Sequence, residues 1–110
     1  MSTIIHQLLA ARHEFYSHYA SLGARELHML ETIAGAELGD YEPLTVTEAM
    51  ELEAVGSPAT NHRCIARLID VELVKTIQTA DDRRTKYLYL TSAGRRYIAR
   101  LEANLRKALP

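Results

Sequence analysis

A chain of 110 residues with 47% hydrophobic and 25% charged side chains has room for one hydrophobic core, which excludes a disordered chain or several large domains. Its single cysteine, Cys64, excludes an intrachain disulfide; no run reaches the roughly 20 apolar residues of a membrane span, and no basic region precedes the short apolar stretch of the N-terminus, so a cytoplasmic protein without a membrane partner or signal peptide is expected. The net charge of −1 hides an asymmetry: residues 1–56 carry two basic and nine acidic side chains, a balance of −7, whereas residues 57–110 carry eleven basic and five acidic, a balance of +6. That contrast points to a polyanion as partner for the second half, against the plainer reading of a solvated surface.

In chain order, residues 3–20 predict a helix whose apolar stripe (Ile4, Ile5, Leu8, Leu9, Phe15, Tyr16, Tyr19) is broader than a surface helix needs. After Ser21-Leu22-Gly23 a second helix runs to about Glu37, with Leu27, Leu30, Ile33 and Ala34 at helical spacing, until Gly39-Asp40-Tyr41-Glu42-Pro43 breaks it. Leu44-Thr45-Val46 reads as a short extended piece, and Thr47 as the cap of a short third helix that Val55-Gly56 closes. Ser57-Pro58 opens a fourth helix, because Ser caps well and the missing N–H of Pro costs nothing at the first position. That helix ends near Asp70. Leu73 to Ile77 and Tyr87 to Leu90 read as strands joined by the polar loop from Gln78 to Lys86. Thr91 or Ser92 then caps a last helix with Tyr97, Ile98, Leu101 and Leu105 on one side.

Two short helices meeting at a turn, followed by a charged hairpin, describe a winged helix-turn-helix. The fold class is mainly α with a small β hairpin (α+β). One winged-helix domain is expected over residues 1–110, with the winged helix-turn-helix itself in 44–91. The helices in 1–20 and 92–110 hold more apolar surface than one domain covers. They are expected to bury against each other across a two-fold axis, making a homodimer.

The run Asp82-Arg83-Arg84-Thr85-Lys86-Tyr87-Leu88-Tyr89-Leu90-Thr91-Ser92-Ala93-Gly94 resembles the wing-to-helix signature of the MarR family of bacterial transcriptional regulators, D-R-R followed by alternating strand residues and L-T-x-x-G. Ser57-Pro58-Ala59-Thr60 through Arg63 and Leu68 resembles that family's recognition helix, and Leu73-Val74 the strand leaving it. The resemblance implies a DNA-binding regulator, most simply a repressor, and gives Asp82 the role of positioning a neighbouring arginine, Arg84. Three departures stand out. Glu72 occupies the place of a usual Gly, so the helix is expected to end in another way than a left-handed residue. The turn before Ser57 is Val-Gly rather than Gly followed by an apolar residue. The chain stops at Pro110, short of the family's C-terminal extension, so a smaller dimer interface is expected.

On a helical wheel, Asn61, Cys64, Ile65 and Leu68 fall inward, while Ala59, His62, Arg63 and Ala66 fall outward with Thr60 and Arg67 at the borders. Small alanines permit close approach to a groove, and Arg63 can reach a phosphate or the acceptor edge of guanine. Ser57, Pro58 and the first-turn N–H groups suit a phosphate. Arg83, Arg84 and Lys86 crowd three cations onto the loop, and the narrow minor groove attracts inserted arginine. The expected double-stranded DNA-binding set is therefore Thr47, Ser57, Pro58, Ala59, Thr60, His62, Arg63, Arg67, Arg83, Arg84 and Lys86.

Cys64 reads as a small buried hydrophobe, with redox sensing as the alternative. Asn61 is expected to bond backbone near the start of its own helix. The five histidines show no metal-chelating spacing, and neither a phosphate loop nor a catalytic cluster is present, so an enzyme, a metal and a cofactor are not expected. A small-molecule effector stays open as a partner. Two other functions also stay open: a protein-interaction module built on the same fold, and a plasmid or phage replication protein.

Overall fold

The structure, a computed structural model, describes residues 3–39 and 42–109. Asp40 and Tyr41, in the middle of the expected helix breaker, lie outside the described residues, as does Pro110. The order is α1 (Ile4–His18), α2 (Ala24–Leu38), α3 (Val46–Met50), α4 (Pro58–Asp70), β1 (Val74–Gln78), β2 (Lys86–Leu90) and α5 (Ser92–Arg106). It is an α+β winged helix-turn-helix.

Helices α1, α3, α4 and α5 each begin where a Ser or Thr hydroxyl accepts a free first-turn N–H. Thr3 Oγ1 accepts the His6 N–H, Ser57 Oγ accepts the Thr60 N–H with Pro58 in the first turn, and Thr91 Oγ1 accepts the Gly94 N–H. Helix α3 is capped two residues earlier than expected, at Thr45 rather than Thr47. Thr45 Oγ1 accepts the Glu48 N–H at 3.1 Å, and Glu48 Oε1 accepts the Thr45 N–H at 2.9 Å. This reciprocal pair satisfies two donors at once and outcompetes a cap at Thr47. The helix also ends earlier than expected, at Met50, with turns carrying the chain through Val55.

The strands pair antiparallel, with Val74 opposite Leu90 and Gln78 opposite Lys86. The expected extended piece at residues 44–46 is realised as a single bridge between Thr45 and Tyr87, and the Leu88 N–H donates to the Leu44 carbonyl at 2.8 Å. Leu30 and Ile33 of α2, Leu68 of α4, Leu73, and Leu88 and Leu90 of β2 are fully or almost fully buried and form the centre of the core.

The recognition-helix candidate α4 ends against expectation. Glu72 takes φ 61°, the left-handed conformation that costs a side chain on the order of 1 kcal/mol. The Leu73 N–H donates to the Leu68 carbonyl and the Glu72 N–H to the Ile69 carbonyl, both at 3.0 Å, which is the full helix-ending motif ordinarily built on Gly. Two things offset the strain. Thr91 Oγ1 donates to the Glu72 carbonyl at 2.6 Å, and Leu68 and Leu73 are both buried at the motif's apolar contact.

Helix α5 adds to the core rather than following a finished one. Ile98 is buried in it, and α5 packs along α1 within the same chain, with the Phe15 and Tyr97 rings 4.7 Å apart. Phe15, Tyr16 and Tyr19, assigned from the sequence to a partner-facing stripe, are thus largely spent inside the chain. The Tyr97 hydroxyl is buried without a hydrogen-bond partner among the described residues. Burial, then the nearby Glu31 carboxylate, pushes its pKa up to about 12. What remains exposed is the far end of this arm: Ile4, Ile5, Leu9 and Leu109. The molecule is correspondingly long, 50 Å against 27 and 24 Å across. No helix among the described residues is long and apolar enough to cross a membrane.

Candidate nucleic-acid interface

The face of α4 depends on how α3 and α4 are joined. Asn61 is completely buried, and its Nδ2 donates to the carbonyls of Ala49 (3.2 Å), Met50 (3.0 Å) and Leu52 (3.0 Å). The side chain therefore satisfies the end of the preceding helix, not the start of its own as the sequence suggested. The Met50 carbonyl accepts no backbone N–H among the described residues, while the Ala49 and Leu52 carbonyls also accept from the turn that follows; the start of α4 is already served by Ser57. Gly56 completes the joint: a Cβ there would come within 3.0 Å of Thr60 Cγ2.

With Asn61, Cys64, Ile65 and Leu68 buried, Ala59, His62, Arg63 and Ala66 are exposed on the opposite side of α4. Ser57, Thr60 and Arg63 form a short relay, with Ser57 Oγ 3.0 Å from Thr60 Oγ1 and Arg63 Nη2 3.4 Å from it. Arg67 differs from its neighbours. Its Nη1 lies 2.7 Å from Oε1 of Glu26 on α2, although the arginine side chain stays 58% exposed. Burial pushes the Glu26 pKa up, but Arg67 and the N–H groups at the start of α2 outweigh it and hold the carboxyl below its usual value.

The wing, residues 79–85, is organised by Asp82, though not through a guanidinium. Oδ1 accepts the Arg84 backbone N–H at 3.0 Å and Oδ2 accepts the Thr85 hydroxyl at 2.5 Å, while the Asp82 N–H donates to Thr79 Oγ1 at 3.2 Å. The Thr85 and Arg84 bonds hold the Asp82 pKa below the usual carboxylate value. The carboxylate fixes the loop backbone and holds Arg84 by its main chain. Gln78 Nε2 donates to the Arg83 carbonyl at 2.6 Å and closes the loop. Arg83, Arg84 and Lys86 are exposed and form no salt bridge among the described residues. A shallow groove between α3 and the wing places Thr45, Val46 and Thr47 beside Arg84, Thr85 and Lys86.

Part of the charge asymmetry is neutralised within the chain. Arg67, Arg95 and Arg100 pair with Glu26, Glu37 and Glu14, tying the basic half of the chain to the acidic half. Glu37 is almost completely buried and also accepts the Leu90 N–H at 3.0 Å, so it joins α2 to the end of β2 and the start of α5. Sequence reading missed Glu26 and Glu37, whose partners lie 41 to 58 residues away. Arg63, Lys75, Arg83, Arg84 and Lys86, on α4 and the hairpin, have no acidic partner among the described residues.

Cys64 is buried. Burial and Glu26 raise its pKa, against the pull of Arg67, Arg25 and Arg63, which is the setting of an inert thiol.

No protein-family model and no curated protein sequence matches the chain. Solved structures match its fold. RV1404 from Mycobacterium tuberculosis aligns with a TM-score of 0.65 and 18% identity over 88% of this chain and 62% of that one. The transcriptional regulator Tm0710 from Thermotoga maritima gives 0.63 and 16% over 84% and 61%. ZitR of Lactococcus lactis, described as a zinc-responsive MarR family member, gives 0.55 and 24% over 80% and 56%. The chain spans less than two thirds of the length of each. Its fold is that of these winged-helix structures.

Proposed function

We propose that the chain is a cytoplasmic transcriptional regulator that binds double-stranded DNA as a homodimer and represses. In this reading the outer face of α4 enters the major groove and the wing reaches the minor groove. One observation carries it: Arg63 on the outer face of α4 and Arg83, Arg84 and Lys86 on the hairpin stand exposed together with no carboxylate partner among the described residues. A phosphate backbone is the partner that such a surface lacks. The likeness to Tm0710 and ZitR supports the same reading.

A second copy covers the apolar end of the arm, Ile4, Ile5, Leu9 and Leu109. Two-fold pairing there sets the two α4 helices about one DNA turn apart, ~34–36 Å. The joint between α1 and α5 encloses about 190 Å³ lined in part by Phe15, Tyr19, Tyr97, Arg96 and Arg100. A small-molecule effector bound there acts on the angle between arm and winged domain.

The test is quantitative duplex binding by two variants against a panel of genomic fragments. Arg84→Ala weakens binding by about 1 kcal/mol on every sequence and leaves the melting midpoint unchanged, because the side chain is exposed and makes no salt bridge among the described residues. Arg63→Ala costs about 1–3 kcal/mol on the preferred sequence and flattens the preference. A midpoint lowered by several degrees with affinity intact makes Arg84 structural. A uniform loss for Arg63→Ala demotes that residue to a phosphate contact.

A further inference from the structure

Residues 1–56 contain two basic side chains, Arg12 and Arg25. Arg12 lies 3.6 Å from Glu31, a contact between α1 and α2. Arg25, on α2, is exposed and has no acidic partner among the described residues. It lines an open polar groove between residues 20–26 and α4, together with Thr60, Arg63 and Arg67. No local pattern connects Arg25 with Thr60, Arg63 and Arg67, which lie at least 35 positions further on.

We propose that Arg25, with Arg63 and Arg67, forms a second anchor for the DNA backbone, one that holds a phosphodiester beside α4 and apart from the wing. The proposal rests on the duplex-binding reading above and extends it to a residue outside the helix-turn-helix and the wing. Three guanidinium groups line the groove against a single carboxylate, Glu26, and that carboxylate is already taken up by Arg67 and by the Gly23 N–H. An excess of positive charge is therefore left at the groove mouth. A phosphodiester carries one negative charge and two non-bridging oxygens, which fit the donor fork of a guanidinium. Arg67 spends one nitrogen on Glu26 and keeps most of its side chain in solvent, so further donors remain for a phosphate. All three arginines line the same groove, together with Thr60 and Cys64. Arg63 belongs both to this groove and to the outward face of α4. A strand touching the recognition face at Arg63 is thereby led onto Arg25.

The experiment measures the observed binding constant for one genomic duplex against salt concentration, for the unsubstituted chain, Arg25→Ala, Arg25→Lys and Arg106→Ala. Arg106 lies exposed near the far end of α5 and serves as a control that removes the same charge elsewhere. Arg25→Ala makes the log–log slope shallower by about one per subunit and weakens all sequences alike. Arg25→Lys keeps the slope, and Arg106→Ala keeps it as well. An Arg25→Ala slope equal to that of the unsubstituted chain overturns the anchor while duplex binding stands. An equal change for Arg106→Ala also overturns it, since net charge alone then explains the effect. Absence of binding by the unsubstituted chain overturns the duplex reading, and the anchor falls with it.

Discussion

Gly94→Ala is expected to destabilise the domain by about 2–4 kcal/mol, lowering the melting midpoint by roughly 10 °C or more. The first turn of α5 rests directly on Leu73, the last residue of the helix-ending motif of α4. A Cβ at Gly94 would stand 2.3 Å from the Leu73 carbonyl oxygen and 3.2 Å from Leu90 Cδ2. The Leu90 methyl can give way. The carbonyl cannot, because it accepts the Thr91 N–H at 3.0 Å and belongs to the strained segment at Glu72. Helix propensity works in the opposite direction, favouring Ala over Gly by about 1 kcal/mol in a helix interior. The sign of the measured change therefore decides between the two effects. A midpoint equal to or above that of the unsubstituted chain would show that α5 does not lie against Leu73 as described. The Gly in the L-T-x-x-G pattern is thus a packing requirement, and it positions the end of α4.

The second large effect is expected at Asn61. Asn61→Ala leaves the Met50 carbonyl without a donor, removes the side-chain donor shared with the Ala49 and Leu52 carbonyls, and costs about 1–3 kcal/mol in urea unfolding. Asn61→Asp costs more at neutral pH, since a carboxylate donates nothing and would sit among three carbonyl oxygens. Its pKa would be raised in the folded state. The deficit is therefore largest above that raised value and shrinks as pH falls and the acid becomes a donor. Equal stability of the Asp and Ala variants across pH 4–8 would rule out this arrangement. Loss of the joint also loosens α4 against α3, so duplex binding should weaken along with stability.

These two positions show what the sequence makes legible. The Ser57-Pro58 start of α4, its inward and outward faces and the polar loop of the hairpin follow from local chemistry, and the structure keeps them. The start of α3 was legible too: Thr45-x-x-Glu48 is the pattern of a reciprocal cap, and Thr47 only resembles it. Glu72 shows the limit of a local argument. A penalty of about 1 kcal/mol predicts another helix end, but Thr91, 19 residues later, donates to its carbonyl and the local preference loses. Asn61 was visible as an inward polar residue, yet its acceptors lie 9 to 12 positions away on another element. The ion pairs of Glu26 and Glu37 span 41 and 58 positions, so no periodicity announces them. They decide which cations remain for a partner. Charge counted by halves suggested a polyanion, but only the fold separates Arg95 and Arg100, held by carboxylates, from Arg83 and Arg84 on the open wing.

The claim that this surface exists for duplex DNA is tested most directly by sedimentation velocity of the chain with a genomic duplex across a salt series. The account predicts a complex carrying two copies of the chain, with at least four phosphate contacts in all. The log of its association constant should then fall against log salt with a slope of roughly −4 or steeper. Free protein and free duplex sedimenting independently at the lowest salt would contradict it.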